Sequence, residues 1–236
     1  MSYAFFTEMF PWLAPMGQYF AAIFLVLFMA VSVVALERRQ WSKQKIALAD
    51  WQFDEAYTQE VLQKYPHLNE NDAAEAFEQL RRYFQICWQN EKKTVAMPSR
   101  LIDECWHSFI CDTRSYAQFN EAVFGRFLHH EPPNCFEPQK LDISERSDRQ
   151  MLAIARAYKG ALAAEVVGTA TVPTLFAIDV RLQIQDGFYY STEFLKCLAD
   201  FDLEKAEARL SKEDGAADGS GAACGDGGGC GCGGSV

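Results

Sequence analysis

The stretch DECWHSFICDT, residues 103–113, places a carboxylate, a histidine and two cysteines within one predicted helix. At about 100° per residue, the apolar side chains around it fall on one face of that helix: Ile102, Cys105, Trp106, Phe109 and Ile110. Asp103, His107 and Cys111 lie four residues apart and form a polar row beside that face. Such a row can offer two ligands to one metal ion. The same row also fits a simpler interpretation, in which Asp103 and His107 hydrogen-bond to neighbouring helix ends.

A second group of histidines follows shortly after this stretch. GRFLHHEPP, residues 125–133, places His129 and His130 at the predicted end of the next helix, just before two prolines. An antiparallel pairing of the two helices would bring these histidines back toward His107. Histidines near a helix C-terminus are also favoured by the helix dipole, which offers an alternative explanation. The metal hypothesis uses Asp103, His107 and His130, with zinc or another transition metal as the ion.

The residues before the motif predict two amphipathic helices. Residues 50–65 carry an apolar stripe at four-residue spacing, and Pro66 ends the predicted helix. The stripe consists of Phe53, Tyr57, Val61 and Tyr65. Residues 71–90 predict the next helix, with Asp72 as N-cap and Glu75 completing a capping box. Cys87 lies on its apolar face, and we expect it to be a small core residue.

The motif helix is predicted to start after Pro98-Ser99, and another helix follows it from Thr113 or Ser115. That following helix is predicted to end near His129-His130, because Pro132-Pro133 cannot continue it. Its predicted buried stripe is Tyr116, Phe119, Val123 and Phe127. Helices with short connections indicate a helical bundle.

The C-terminal half continues the helical pattern. Ser147 and Gln150 form a predicted capping box at the start of a strong helix-forming stretch. Residues 172–190 fit either a helix begun by Pro173 or a hairpin turning at Asp186-Gly187, and the helix is favoured. Residues 191–210 predict a final helix with Cys197 in the core.

The N-terminal region predicts a membrane anchor. The run from Gly17 to Leu36 is continuously apolar, and twenty residues span about 30 Å of hydrocarbon. Residues 1–16 contain no Lys or Arg, so a cleavable signal peptide is not indicated. The basic residues Arg38, Arg39, Lys43 and Lys45 follow the run. The positive-inside rule then predicts a single-pass inner (plasma) membrane protein, in contact with the lipid bilayer through residues 17–36, with its N-terminus outside and its remaining domain in the cytoplasm.

The expected fold class is therefore mainly α, with one transmembrane helix, a cytoplasmic helical bundle and a disordered tail. The predicted domains are an external segment at 1–16, a transmembrane helix at 17–36, a juxtamembrane linker at 37–49, a bundle at 50–140, a helical extension at 141–212 and a tail at 213–236.

The tail is rich in glycine and carries Cys224, Cys230 and Cys232. Its composition predicts disorder, because it cannot bury enough apolar surface to offset its chain entropy. A flexible thiolate cluster could take up a soft metal ion, and the glycine-cysteine runs also resemble substrates of peptide-modifying enzymes. The net charge of −10 and the pI of about 4.9 argue against a nucleic-acid partner.

The segment from Met97 to Pro133 resembles the core of the glycine-rich domain-containing proteins of plants and bacteria. The residues that carry the resemblance are Asp103, Trp106, His107, Tyr116, Phe119, Gly125, His130 and Pro132. Residues 173–190 and the tail also resemble bacterial members. Many relatives carry a second histidine where this chain has Phe109, so their three-histidine site does not carry over. The resemblance implies no reaction, but it strengthens the grouping of Asp103, His107 and His130.

These observations leave three classes of function. The leading hypothesis is a membrane-anchored, non-catalytic module that binds a protein partner or a metal ion, since no nucleotide loop, nucleophile elbow or catalytic carboxylate pair is present. The second is a metal-dependent enzyme that uses Asp103, His107 and His130 as ligands, with water in an open position. The third is a soft-metal binder or modification substrate acting through the tail.

Overall fold

A computed structural model describes residues 13–130, 146–165 and 172–217, with side chains from residue 22 onward and up to residue 212. These ranges contain helices and connecting turns, and no strand. The helices are α1 Leu13–Asp50, α2 Glu55–Lys64, α3 Glu70–Gln89, α4 Arg100–Cys111, α5 Thr113–Val123, α6 Asp148–Ala164, α7 Thr174–Arg181, α8 Thr192–Asp200 and α9 Leu203–Ala217. The predicted cysteine cluster of the tail, Cys224, Cys230 and Cys232, lies outside the described residues.

The predicted transmembrane helix at residues 17–36 is wrong. Within the described ranges, no helix carries an apolar run long enough to cross a membrane. The predicted single-pass inner-membrane location is therefore wrong as well, and the bilayer contact through residues 17–36 loses its basis.

The described residues form two compact units. The first comprises the residues up to Glu60 together with His107–His130. In it α1 packs against α5, while the apolar side chains of α1 from Ile23 to Leu36 are exposed. Its core is an aromatic cluster around Phe109, which is fully buried. The Phe109 ring lies edge-on to three other rings at centroid distances of 5.3 Å: Phe53, Tyr116 and Phe119.

The second unit comprises Val61–Trp106 and the described residues from 146 onward. Helix α6 lies at its centre and contacts α3, α7, α8 and α9. Gly160 allows α6 to approach α3 closely, because a Cβ at this position would lie 2.7 Å from Cγ2 of Ile86. The core residues Cys87 and Cys105 are buried on α3 and α4, which confirms the expectation for Cys87.

Two predicted helix starts had different outcomes. The capping box of Ser147 and Gln150 at α6 is confirmed. The predicted N-cap of α3 at Asp72 is wrong by three residues. Asn69 is the N-cap, and its side chain accepts a hydrogen bond from the backbone N–H of Asp72. In return, the Asp72 carboxylate accepts a hydrogen bond from the backbone N–H of Asn69.

The segment 172–190 forms a helix, α7, and then a turn, which decides between the two alternatives left open by the sequence. Pro173 stands at its N-cap. The predicted last helix is divided into α8 and α9, because Phe201 adopts an extended conformation. Cys197 is partly exposed and so is not the core residue predicted from the sequence.

Candidate metal centre

The helix that carries the DECWHSFICDT stretch, α4, is held at its start by a carboxylate from α7. Asp179 is 2% exposed and accepts four hydrogen bonds through its two oxygens. Oδ1 accepts from the hydroxyl of Ser99 (2.6 Å) and the N–H of Leu101 (3.2 Å). Oδ2 accepts from the N–H of Arg100 (2.7 Å) and the N–H of Phe188 (2.8 Å). Burial raises the pKa of Asp179, and these hydrogen bonds act in the opposite direction. The first turn of α4 is thereby fixed in position.

The other end of α4 is fixed by Asp112, the N-cap of α5. Its carboxylate accepts from the N–H (3.1 Å) and hydroxyl (2.7 Å) of Ser115, and from the hydroxyl of Tyr57 (2.8 Å). These hydrogen bonds, those from Ser115 first, lower the pKa of Asp112 to about 2. The turn between α4 and α5 is consequently well defined.

Helix α5 ends earlier than the sequence predicts, at Val123. Gly125 has φ +62°, in the left-handed region that favours glycine, and its N–H donates to the carbonyl of Asn120. The buried Asn120 side chain accepts from the N–H of Leu128 at 2.6 Å. The hydroxyl of Tyr116 donates to the Leu128 carbonyl. These contacts reverse the chain after α5, so the prediction that the helix continues to His129-His130 is wrong.

The reversal changes the environment of the residues that follow Gly125. Phe127, predicted to be buried, is 51% exposed. His129 contacts the Phe127 ring. His130 instead lies against His107, with ring centroids 4.6 Å apart and an interplanar angle of 67°. One histidine of the pair therefore faces the motif helix.

Asp103, His107 and His130 come together in the structure. Asp103 and His107 lie one turn apart on the uninterrupted helix α4, and the chain reversal supplies His130. One ligand atom from each residue lies within 4.8 Å of the other two. Asp103 is 1% exposed, His130 is partly exposed and His107 is exposed. The cluster thus has a buried carboxylate on one side and is open to solvent on the other.

This donor set suits a transition-metal ion. Two imidazoles and one carboxylate form one of the common three-ligand sets for catalytic zinc, and also for non-haem iron. Ligands about 2.1 Å from a tetrahedral zinc ion lie roughly 3.4 Å apart. Side-chain adjustments of about an ångström would therefore close the observed cluster around an ion, leaving one coordination position for water or another group.

Other residues predicted at the site have different roles. Cys111 continues the polar row but is exposed on the next turn and is not among the three converging residues. Trp106 is buried and packs against the rings of Tyr83 and Phe84. Asp179, which anchors the start of α4, was not predicted from the sequence. A lone acidic residue inside the apolar stretch TLFAIDV was the available signal, because such a carboxylate needs hydrogen-bond donors when buried.

A family model described as UCP032817-like matches residues 43–209. No curated protein and no solved structure shows significant similarity to the chain. The expected membership of the glycine-rich domain-containing proteins is therefore wrong, because the model that matches more than two thirds of the chain describes another family. Asp103, His107 and His130 all lie within the matched residues. The chain belongs to the UCP032817-like family.

Proposed function

We propose that this protein is a non-catalytic metal-binding module that holds one divalent transition-metal ion through Asp103, His107 and His130. The observation that carries the proposal is the convergence of one carboxylate and two imidazoles to within 4.8 Å. Zinc is the best match to this donor set, since it accepts nitrogen and oxygen ligands in a flexible tetrahedral arrangement. The family name states no activity, so the proposal rests on the site itself.

The burial of Asp103 supports a cation at this position. A carboxylate that is 1% exposed is costly to keep charged unless hydrogen bonds or a positive charge stabilise it. One such charge is the guanidinium of Arg100, whose Nη1 lies 3.9 Å from Oδ2 of Asp103. A divalent ion held between Asp103 and the two histidines would add positive charge beside this carboxylate.

The position of His130 supports a structural role for the ion. His130 follows the chain reversal at Gly125, whereas His107 belongs to α4. An ion bound by both residues would tie the segment after α5 to the motif helix. These features favour a binding module, with a protein as the expected partner, over an enzyme.

The test is the metal content of the full-length protein. The experiment uses a background with Cys224, Cys230 and Cys232 changed to Ser, which removes binding by the tail. After EDTA treatment, reloading with zinc and dialysis, elemental analysis should give one zinc per chain. His107→Ala should abolish this zinc, whereas His129→Ala, which changes the neighbouring histidine outside the cluster, should retain it.

A stability measurement provides the second readout of the same experiment. Zinc at about 100 times its dissociation constant should stabilise the fold by about 2.7 kcal/mol if it binds only the folded state. The His107→Ala variant should show no such gain. A folded protein that retains no zinc, or equal zinc in both histidine variants, would overturn the proposal.

A metal-dependent enzyme is the second candidate, and the exposure of His107 favours it. Three protein ligands leave one coordination position, and an exposed ligand allows water to reach the ion. The zinc-loaded protein would then hydrolyse activated ester or phosphoester substrates, and His107→Ala would abolish the turnover. Zinc binding without turnover would support the binding module.

A further inference from the structure

A cavity of about 310 Å³ lies in the second unit, lined by residues of α6, α9 and the segment before α4. Helix α6 contributes Arg149, Leu152 and Arg156, which are spaced to lie on one helical face. Helix α9 contributes Glu207, Leu210 and Ser211, and the segment contributes Lys93 and Thr94. None of these residues belongs to the candidate metal centre.

The charges that line this cavity contrast with those of the whole chain. The protein carries a net charge of −10. The cavity wall contains three cationic side chains and one carboxylate, a local net charge of +2 from Lys93, Arg149, Arg156 and Glu207. A concave site with an excess of one charge attracts small ligands of the opposite charge. The electrostatics therefore favour an anion.

The guanidinium of Arg156 forms a rigid part of this wall. Arg156 is 8% exposed; Nη1 donates to the Thr94 carbonyl at 3.0 Å and Nη2 to the Glu207 carboxylate at 2.9 Å. Nζ of Lys93 reaches the same carboxylate at 2.9 Å. The hydrogen bonds from Arg156 and Lys93 lower the pKa of Glu207, so this group stays charged and holds both cations in place. Arg156 Nε has no hydrogen-bond partner among the described residues.

The remaining lining residues indicate the kind of anion. Arg149 is exposed and stands in the first turn of α6, where the helix dipole also favours negative charge. Leu152 and Leu210 add apolar surface, and Thr94 and Ser211 add hydroxyl groups. A cavity of this volume falls at the small end of the range for ligand sites. We infer that the cavity binds a small organic phosphate, whose phosphate group is held by Arg149 and Lys93 while its apolar part contacts the two leucines.

The test measures binding of pyrophosphate and inorganic phosphate to the full-length protein. EDTA is present throughout, which keeps the candidate metal centre from contributing. Sodium chloride at matched ionic strength controls for general salt effects, and succinate serves as a dicarboxylate of similar charge. Pyrophosphate should raise the melting temperature to a saturating limit above the chloride control, and more strongly than succinate does.

Two variants and one matched control locate the site. Arg149→Gln and Lys93→Gln should each weaken pyrophosphate binding about tenfold or more, which corresponds to the loss of one charge-assisted hydrogen bond. Lys205→Gln makes the same charge change at an exposed position of α9 outside the cavity, and it should leave binding unchanged. Both cavity residues are exposed, so the folded content measured by circular dichroism should stay the same.

Three results would overturn the inference. The first is an absence of saturable stabilisation by either phosphate above the chloride control. The second is equal weakening by Lys205→Gln and by the cavity variants, which would indicate a general charge effect. The third is binding of succinate in preference to pyrophosphate, which would assign the cavity to another class of anion.

Discussion

Because Asp179 anchors the start of α4, we expect the change Asp179→Asn to lower the free energy of unfolding by an amount that follows from its hydrogen bonds. In the wild type, two donors meet each carboxylate oxygen. The asparagine oxygen can take over the two backbone donors at Oδ2, from Arg100 and Phe188. Its amide nitrogen then faces the two groups that donate to Oδ1 in the wild type. The Ser99 hydroxyl can rotate to accept a hydrogen bond from this nitrogen, whereas the backbone N–H of Leu101 can only donate. One buried backbone donor is left without an acceptor, which costs about 1–3 kcal/mol.

Asp179→Ala removes every acceptor at this position and orphans three backbone donors. The free energy of unfolding should then fall by at least about 3 kcal/mol. Both values follow from urea denaturation monitored by circular dichroism. Asp186→Asn provides the matched control, because this aspartate lies in the same segment but its side chain is 58% exposed and its contact with Arg100 is a 3.6 Å ion pair near the surface; it should change stability by less than about 0.5 kcal/mol.

The order of the three variants is the decisive result. The alanine variant should be the least stable, the asparagine variant intermediate and the Asp186 variant equal to the wild type. An Asp179→Asn variant as stable as Asp186→Asn would refute the reasoning, since it would mean that the four hydrogen bonds at Asp179 do not hold the start of α4.

Three further changes test other parts of the structure. Gly160→Ala should lower the free energy of unfolding by about 1–2 kcal/mol, because overpacking against Ile86 exceeds the gain in helix propensity. Gly125→Ala should cost about 1–2 kcal/mol in the left-handed conformation and weaken zinc binding by moving His130. Asp112→Asn should lower the melting temperature at neutral pH. Because the pKa of Asp112 is lowered to about 2, its contribution is present above pH 3.8 and is lost as the pH falls toward 2.

Each of these changes has its own control. Ile86→Val should relieve part of the penalty of Gly160→Ala in the double variant, and strictly additive effects would contradict a direct clash. Gly125→Asn should be tolerated better than Gly125→Ala, since asparagine adopts the left-handed region more readily; equal effects would argue against the backbone explanation. Melting temperatures of the wild type and Asp112→Asn should converge between pH 4 and pH 2, and a constant difference would contradict the assignment.

The sequence predicted the local elements better than their ends. The capping box at Ser147 could be recognised because all its groups lie within four residues. The end of α5 could not, because it depends on the buried Asn120 side chain accepting from Leu128, eight residues later. Propensity alone allows the helix to continue to the prolines, whereas Gly125 and this hydrogen bond stop it earlier. A single hydrogen bond of this kind, between two separated positions, leaves little recurring pattern in the sequence from which it could be predicted.

The candidate site was partly predictable, because two of its three residues lie close together in the sequence. Asp103 and His107 share a helix face through their four-residue spacing, which the sequence displays directly. His130 joined them in the sequence analysis through an assumed antiparallel pairing, whereas the structure brings it there by a chain reversal at Gly125. Asp179 was missed because three of its four hydrogen-bond donors lie about 80 residues earlier in the chain, at the start of α4. The transmembrane helix was wrongly predicted from apolarity alone.

The most direct test of the proposed metal centre is cobalt binding followed by visible absorption. Cobalt(II) substitutes for zinc, and its absorption reports both coordination geometry and ligand type. In the full-length protein with Cys224, Cys230 and Cys232 changed to Ser, we expect a d–d band of low-symmetry coordination by nitrogen and oxygen that saturates at one equivalent. The band should be lost in Asp103→Asn, His107→Ala and His130→Ala and kept in His129→Ala. A thiolate charge-transfer band that persists in His107→Ala, or no band at all in the folded protein, would contradict the account.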